Sequence, residues 1–442
     1  MQRGRRSNLA NSRFQRSRLL LTPNPASPIL DPLYIKDLVM PTKTPFNSRI
    51  KSSQKKLKIA VLIRDFVSTG GAEKYALEVT RRLALDHDLH VFAQHWSFDG
   101  KERITFHRIP RLFIKPSFLN QLLFSYFTRR SVDRSFDIIH TYERVSHFDV
   151  FTIQSSCFRS LITRQKSLWR RMLVWLSVFM SLRKMAYLWL EKKQFTYDKG
   201  RLLIAVSENI KKNVQDNYPL PDDSFRLAYT AVDSNMPKEG GNNNRQKELR
   251  SQFGIAEDDL VILFVGTEFK RKGLDALLKA AAAIPRSNIK FVVAGGGGGK
   301  LREYTRLAEK LGLGNDIIFL GLVRDVEELY AMSDVYILPT LSDPCPLSPL
   351  EAMSSGVATI MSCSKYAGTA ELIKNGEALI LENPKDAQEI ASALRRLMDE
   401  SYREELSDKG RRLAETLTWE RTTEDTLSTY YEVLERKGSK PK

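Results

Sequence analysis

Apolar residues in this chain gather into short, mostly apolar blocks, and between the blocks they recur at helical spacing. Leu57–Ile63, Leu89–Gln94, Asp137–His140, Leu202–Val206, Val261–Gly266, Phe291–Ala294 and Val335–Leu338 read as strands. Apolar runs this short, bounded by turn signals, suit strands covered on both faces of a parallel sheet. Helical spacing connects Ala72, Tyr75, Ala76, Val79 and Leu83, fills Leu274–Ile284, and returns at about residues 420 to 436. Strands alternating with helices predict an α/β chain with parallel, doubly wound sheets. A chain of 442 residues has room for two or three domains. We place one at 57–230, a second at 231–410, and a closing helical segment at 411–442.

Composition changes the picture in two places. Residues 1–56 are rich in Arg, Ser, Asn and Pro and lack periodicity apart from Leu19-Leu20-Leu21, so they read as a disordered basic extension. Such a start suits a transit peptide, or a reading frame opened upstream of Met40; no aromatic or folded RNA-binding motif accompanies the arginines, which argues against nucleic acid as a partner. Residues 164–193 hold three of the five tryptophans (Trp169, Trp175, Trp189) and the apolar run Met172–Leu182, flanked by Arg170, Arg171, Arg183, Lys184, Lys192 and Lys193. That composition predicts either an interfacial helix on anionic membrane or a core helix pair with basic ends. The net charge of +17 favours an anionic partner. There is no run of 18 apolar residues to span a bilayer, and the three cysteines and six histidines show no metal-ligand spacing. Few cysteines suit a reducing compartment.

Three segments carry candidate chemistry. In Asp343-Pro-Cys-Pro-Leu-Ser-Pro-Leu-Glu351 two carboxylates follow a strand and straddle a helix start, the edge of an open α/β sheet where ligands bind. They can accept hydrogen bonds from sugar or ribose hydroxyls; equally, Ser348-Pro349-Leu350-Glu351 spells a capping box. Lys270-Arg271-Lys272-Gly273 places three cations before the helix that starts at Leu274. Cations there oppose the helix dipole, so the arrangement suits a bound anion such as a diphosphate, with a solvated basic loop as the alternative. Gly70-Gly71 at a strand-to-helix turn allows close backbone approach to a ligand, or serves the turn alone. The five glycines at 295–299 lack the continuation of a phosphate loop, because Lys300 is followed by Leu301. Ser68-Thr69-Gly70-Gly71 likewise does not supply a dinucleotide fingerprint.

The order Gly70-Gly71-Ala72-Glu73, then Val265-Gly266 with Arg271-Lys272-Gly273, then Asp343 with Glu351-Ala352-Met353 and Gly356 resembles glycosyltransferase family 4, retaining enzymes of the GT-B fold. Gly266–Asp275, Leu307–Leu313, Asp325–Asp334 and Asp149-Val-Phe with Cys157 are most similar to the lipopolysaccharide core glucosyltransferase I group. The resemblance implies two Rossmann-like domains facing across a cleft, 57–230 binding the acceptor and 231–410 the nucleotide sugar, with the C-terminal helix of 411–442 packing back on the first domain. It implies that Glu351 holds the donor ribose, that Asp343 stands near the donor hexose, that Arg271 and Lys272 hold the diphosphate, and that Gly70, Gly71, Leu347 and Ser348 complete the donor site. His140 and Glu143 are candidates for contact with acceptor or hexose, each with a surface or capping role as the alternative. Asp343 departs from the family's glutamate, Pro346 and Pro349 stiffen the loop, and Thr230-Ala231-Val232-Asp233 replaces a frequent Asn-Gly-Val-Asp. The expected activity is transfer of a hexose, with UDP-glucose the expected donor, to a glycolipid or oligosaccharide acceptor of the cell envelope, with no metal or other cofactor. The expected location is the cytoplasm, peripheral on the inner face of the cytoplasmic membrane. The competing reading is a non-catalytic basic scaffold on membrane or nucleic acid.

Overall fold

The computed structural model describes residues 55–438 except 98–99, 101, 114, 164–166, 234–242, 286 and 324. All but the last two residues of the expected basic extension lie outside the described residues. The strands are β1 (Lys58–Leu62), β2 (Asp65–Phe66), β3 (Asp88–Ala93), β4 (His95–Trp96), β5 (Ile104–Arg108), β6 (Ile138–Thr141), β7 (Val150–Ile153), β8 (Leu202–Ala205) and β9 (Phe225–Leu227). They continue as β10 (Leu260–Val265), β11 (Ile289–Ala294), β12 (Ile317–Gly321), β13 (Val335–Leu338), β14 (Ala358–Ser362) and β15 (Leu379–Leu381). Seven form one sheet in the order β5-β3-β1-β6-β7-β8-β9, and six form a second in the order β12-β11-β10-β13-β14-β15. Both sheets are parallel throughout, while β2 and β4 pair separately. In each sheet the order reverses beside the first strand of its domain, at β1 and at β10, the switch point where α/β folds open a crevice.

Burial follows the apolar blocks. Ile59, Leu62, Val150, Leu202 and Ile204 are fully enclosed in the first core, and Val261, Leu263, Tyr336, Ile337 and Leu338 in the second. The helix Gly71–Leu83 buries Tyr75, Ala76, Val79 and Leu83 but leaves Ala72 exposed, so the first residue of the expected apolar face looks into solvent.

The C-terminal helix, Trp419–Gly438, belongs to the first core. Trp419, Tyr430 and Val433 are buried among first-domain residues; the Trp419 ring meets Tyr75 edge-on at 5.8 Å. A loop bridge between Val232 and Thr418 closes the crossing.

The tryptophan-rich segment forms two helices, Leu168–Phe179 and Leu182–Gln194, with a bend of 100° between them. Among the described residues no single helix is long and apolar enough to cross a membrane. The pair is not a core element: Trp169, Leu173, Leu176, Phe179, Met180 and Leu182 are all more than half exposed, and among the described residues Val178 and Leu190 are its deeply buried apolar anchors.

Candidate active site

The basic loop between β10 and the helix Leu274–Ala282 owes its shape to Gly273, which takes φ +83°. A Cβ there would sit 1.9 Å from the Pro339 carbonyl oxygen, so only glycine lets this turn lie against the end of β13. The backbone N–H of Leu341 and the Thr340 hydroxyl then donate to the Arg271 carbonyl, at 2.8 and 3.2 Å. Stitched in this way, the two loops bring their charges together. Lys272 Nζ lies 2.5 Å from Asp343 Oδ2, and Arg271 Nη1 lies 3.5 Å from the same oxygen while donating to the Ser342 carbonyl at 2.6 Å. Arg271 also pairs with Glu268, and Lys270 is exposed. Two of the three expected cations therefore converge on Asp343.

Glu351 does not act as a cap. The helix Ser348–Ser354 has Leu347 as its N-cap, with no side-chain cap bond, and the Glu351 carboxylate is held by partners outside the helix instead. Its Oε1 accepts from Lys74 Nζ at 2.9 Å and its Oε2 from the Tyr330 hydroxyl at 3.0 Å. Ser348 accepts from the Tyr336 hydroxyl at 2.7 Å, and Leu347 is buried in the first domain's core. The capping box is thus excluded by where both of its side chains go.

Across the cleft, Gly70 has φ +100°, and a Cβ on it would meet Glu73 Oε2 at 2.4 Å. Burial, joined by the charges of Glu143 and Asp65, raises the Glu73 pKa above the ordinary carboxylate value. Gly71 faces Leu347, whose Cδ1 would be 3.4 Å from an added Cβ. Glu143 pairs with Arg64 at 3.0 Å and lines a hollow of about 160 Å³ with Ala72 and Gln154.

His140 is elsewhere. It is fully buried, with Nδ1 2.6 Å from the Tyr430 hydroxyl and Nε2 2.8 Å from Thr152 Oγ1. Burial pushes its pKa down to about 3. The imidazole fastens the C-terminal helix to the first sheet and is closed off from any hexose or acceptor. Its position near a strand end suggested access, but the strand's alternation turns the ring to the covered face.

Sequence reasoning missed Lys74, Tyr330 and Asp233, the last 3.7 Å from Lys74. Lys74 was legible in one respect: it lies three residues after Gly71, on the side of the first turn that faces away from Tyr75 and Val79. A larger cavity, about 910 Å³, opens beyond Asp343 and is lined by Ser156, Thr163, Asn213 and Asp216 of the first domain and Lys365 and Tyr366 of the second.

Known proteins match both halves. Residues 69–235 match the model of Glycosyltransferase Family 4, and residues 245–413 match that of Glycosyl transferases group 1. An uncharacterized glycosyltransferase of Methanocaldococcus jannaschii is 29% identical over 252 residues, 55% of this chain and 63% of the relative, so the chain spans under two thirds of that relative's length. The lipopolysaccharide glucosyltransferase WaaG of Escherichia coli is 21% identical over 349 residues, 78% of this chain and 90% of the relative. A crystal structure of WaaG superposes with a TM-score of 0.72 at 20% identity, covering 83% of this chain and 98% of that one. Anabaena HepE in complex with UDP-glucose superposes at 0.64 with 17% identity, covering 87% and 100%. Both domains of this chain are therefore glycosyltransferase domains, the first matching family 4 and the second group 1, set together in the GT-B fold.

Proposed function

We propose that the protein is a retaining glycosyltransferase that moves a hexose, with glucose the first candidate, from a nucleoside diphosphate sugar to a glycan or glycolipid acceptor. The observation that carries the reading is the convergence of Lys272 and Arg271 on Asp343 at the carboxyl edge of the second sheet. A diphosphate placed beside these cations meets two charge-assisted donors held by loop contacts, the kind of preorganised environment that stabilises a departing anion. Asp343 accepts from hexose hydroxyls, and Glu351 from the ribose diol. As the bond from the anomeric carbon to the diphosphate oxygen breaks, negative charge grows on that oxygen beside Lys272 and Arg271, and positive charge grows on the sugar. The acceptor oxygen bonds to the anomeric carbon on the face the diphosphate leaves, and its proton departs with the phosphate. Side-chain cations do the neutralising here, so no divalent metal enters the reaction. HepE, of the same fold, is described in complex with UDP-glucose, which supports UDP-glucose as the donor to test first.

The bent helix pair supports a membrane-borne acceptor. Its two helices carry exposed Trp169, Trp175 and Trp189 together with exposed Arg183, Lys192 and Lys193, rings for headgroup depth and cations for anionic lipid. On this reading the protein works in envelope glycan synthesis at the cytoplasmic face of the membrane. Thermal melts with UDP, NAD and RNA test the class. Stabilisation by UDP alone is expected; stabilisation by RNA or NAD with none by UDP overturns it.

A further inference from the structure

Lys74 is a first-domain side chain that reaches the proposed ribose site. Its ammonium lies 2.9 Å from Glu351 Oε1 and 3.7 Å from Asp233 Oδ2, and its side chain and that of Glu351 are only 21% and 16% exposed. Its own backbone N–H donates to the Gly70 carbonyl at 2.9 Å. One residue thus closes the glycine turn with its backbone and grips the facing carboxylate with its side chain.

Two features separate this contact from an ordinary interdomain ion pair. First, an ion pair with little solvent exposure adds little stability over apolar residues of the same volume, because desolvation offsets the attraction. Second, the grip leaves the carboxylate usable. A carboxylate offers about four lone-pair positions; Lys74 and Tyr330 take one on each oxygen, and two remain, the number a vicinal ribose diol requires. Burial opposes the charge of Lys74, but Glu351 and then Asp233 outweigh it and hold its pKa above the ordinary lysine value.

We propose that Lys74 is a positioning residue of the donor site: it orients Glu351 for the two ribose hydroxyls and links their capture to the Gly70-Gly71 turn across the cleft. The inference rests on the ribose role proposed for Glu351. The lysine stays in place when donor binds, so its removal lowers affinity only for ligands that carry the diol.

The test measures dissociation constants of UDP and of 2′,3′-dideoxy-UDP by calorimetry, for the full chain and for Lys74→Met, with Lys74→Gln as the second uncharged variant if the first fails to fold. Wild type is expected to prefer UDP by tenfold or more. The uncharged variant is expected to lose most of that preference, binding UDP about tenfold more weakly and the dideoxy compound within about twofold of wild type. Lys74→Arg, which keeps the charge, is expected to recover part of it. Equal weakening of both ligands, or an unchanged preference, overturns the inference and leaves Glu351's role standing. A wild type that does not distinguish the ligands overturns the ribose reading of Glu351 and this inference with it.

Discussion

Replacing Lys272 by methionine removes one charge and little else. The lysine stem packs against Gly266, where an added Cβ would come within 3.0 Å of Lys272 Cγ, and methionine fills nearly the same space. The Lys272 and Asp343 side chains are only 14% and 11% exposed, and breaking a pair with so little exposure costs roughly 3–5 kcal/mol when the remaining charge is left alone. Arg271 stays at 3.5 Å from the Asp343 carboxylate, so a smaller stability loss of roughly 2–3 kcal/mol is expected. The catalytic loss is a separate quantity. A preorganised donor aimed at growing charge contributes about 10²–10³ in turnover, or roughly 2.7–4 kcal/mol. Arg271 remains beside the same phosphate position, which places the expected loss at the lower end, about 10²-fold. The assay follows UDP release from saturating UDP-glucose, with a melt of the same sample to show that the variant is folded. Turnover within about threefold of wild type refutes the assignment of Lys272 to the leaving diphosphate.

Three further outcomes follow. Glu351→Gln is expected to raise the donor KM by about tenfold or more with kcat within a few-fold, because a ribose contact counts nearly equally in ground and transition states; unfolding without a change in donor affinity counts against the site. His140 is neutral in the fold, its pKa held at about 3 by burial against an unfolded value of 6.5. Its contribution is complete above pH 6.5 and is lost as pH falls towards 3, at about 1.4 kcal/mol per pH unit, so His140→Gln is expected to flatten acid unfolding by one proton's slope; an unchanged slope rejects this. Sedimentation with anionic vesicles is expected to weaken as salt rises and to drop in Trp169→Ser/Trp175→Ser, since screening removes the headgroup attraction and serine removes the ring burial; salt-independent binding, or none, contradicts the membrane surface.

The sheets were legible because parallel strands buried on both faces show as nearly continuous apolar runs: Leu57–Ile63, interrupted only by Lys58, and Val261–Gly266 declare β1 and β10 without any partner in view. The loops at their ends were legible as chemistry, since Arg271, Lys272, Asp343 and Glu351 stand at strand-to-helix turns. What spacing along one chain does not contain is contact across the cleft. Glu351 read equally well as a cap because a capping box is a local pattern, whereas Lys74, 277 residues away, is visible only once both domains are folded. His140 failed in the other direction. A strand of four residues carries side chains to both faces, and the sequence does not say that the C-terminal helix covers the one His140 takes. The tryptophan segment left core and surface open because composition alone does not separate them; exposure of Trp169 and Phe179 does.

The proposed reaction cleaves a nucleotide sugar without metal and with retention. Purified protein incubated with UDP-glucose in EDTA, with the released sugar followed by proton NMR, tests it most directly. Slow release of UDP is expected, with glucose appearing first as the α anomer. Release of the β anomer first contradicts retention, turnover lost in EDTA and restored by manganese contradicts a side-chain-only site, and no cleavage together with no binding of UDP contradicts the donor site itself.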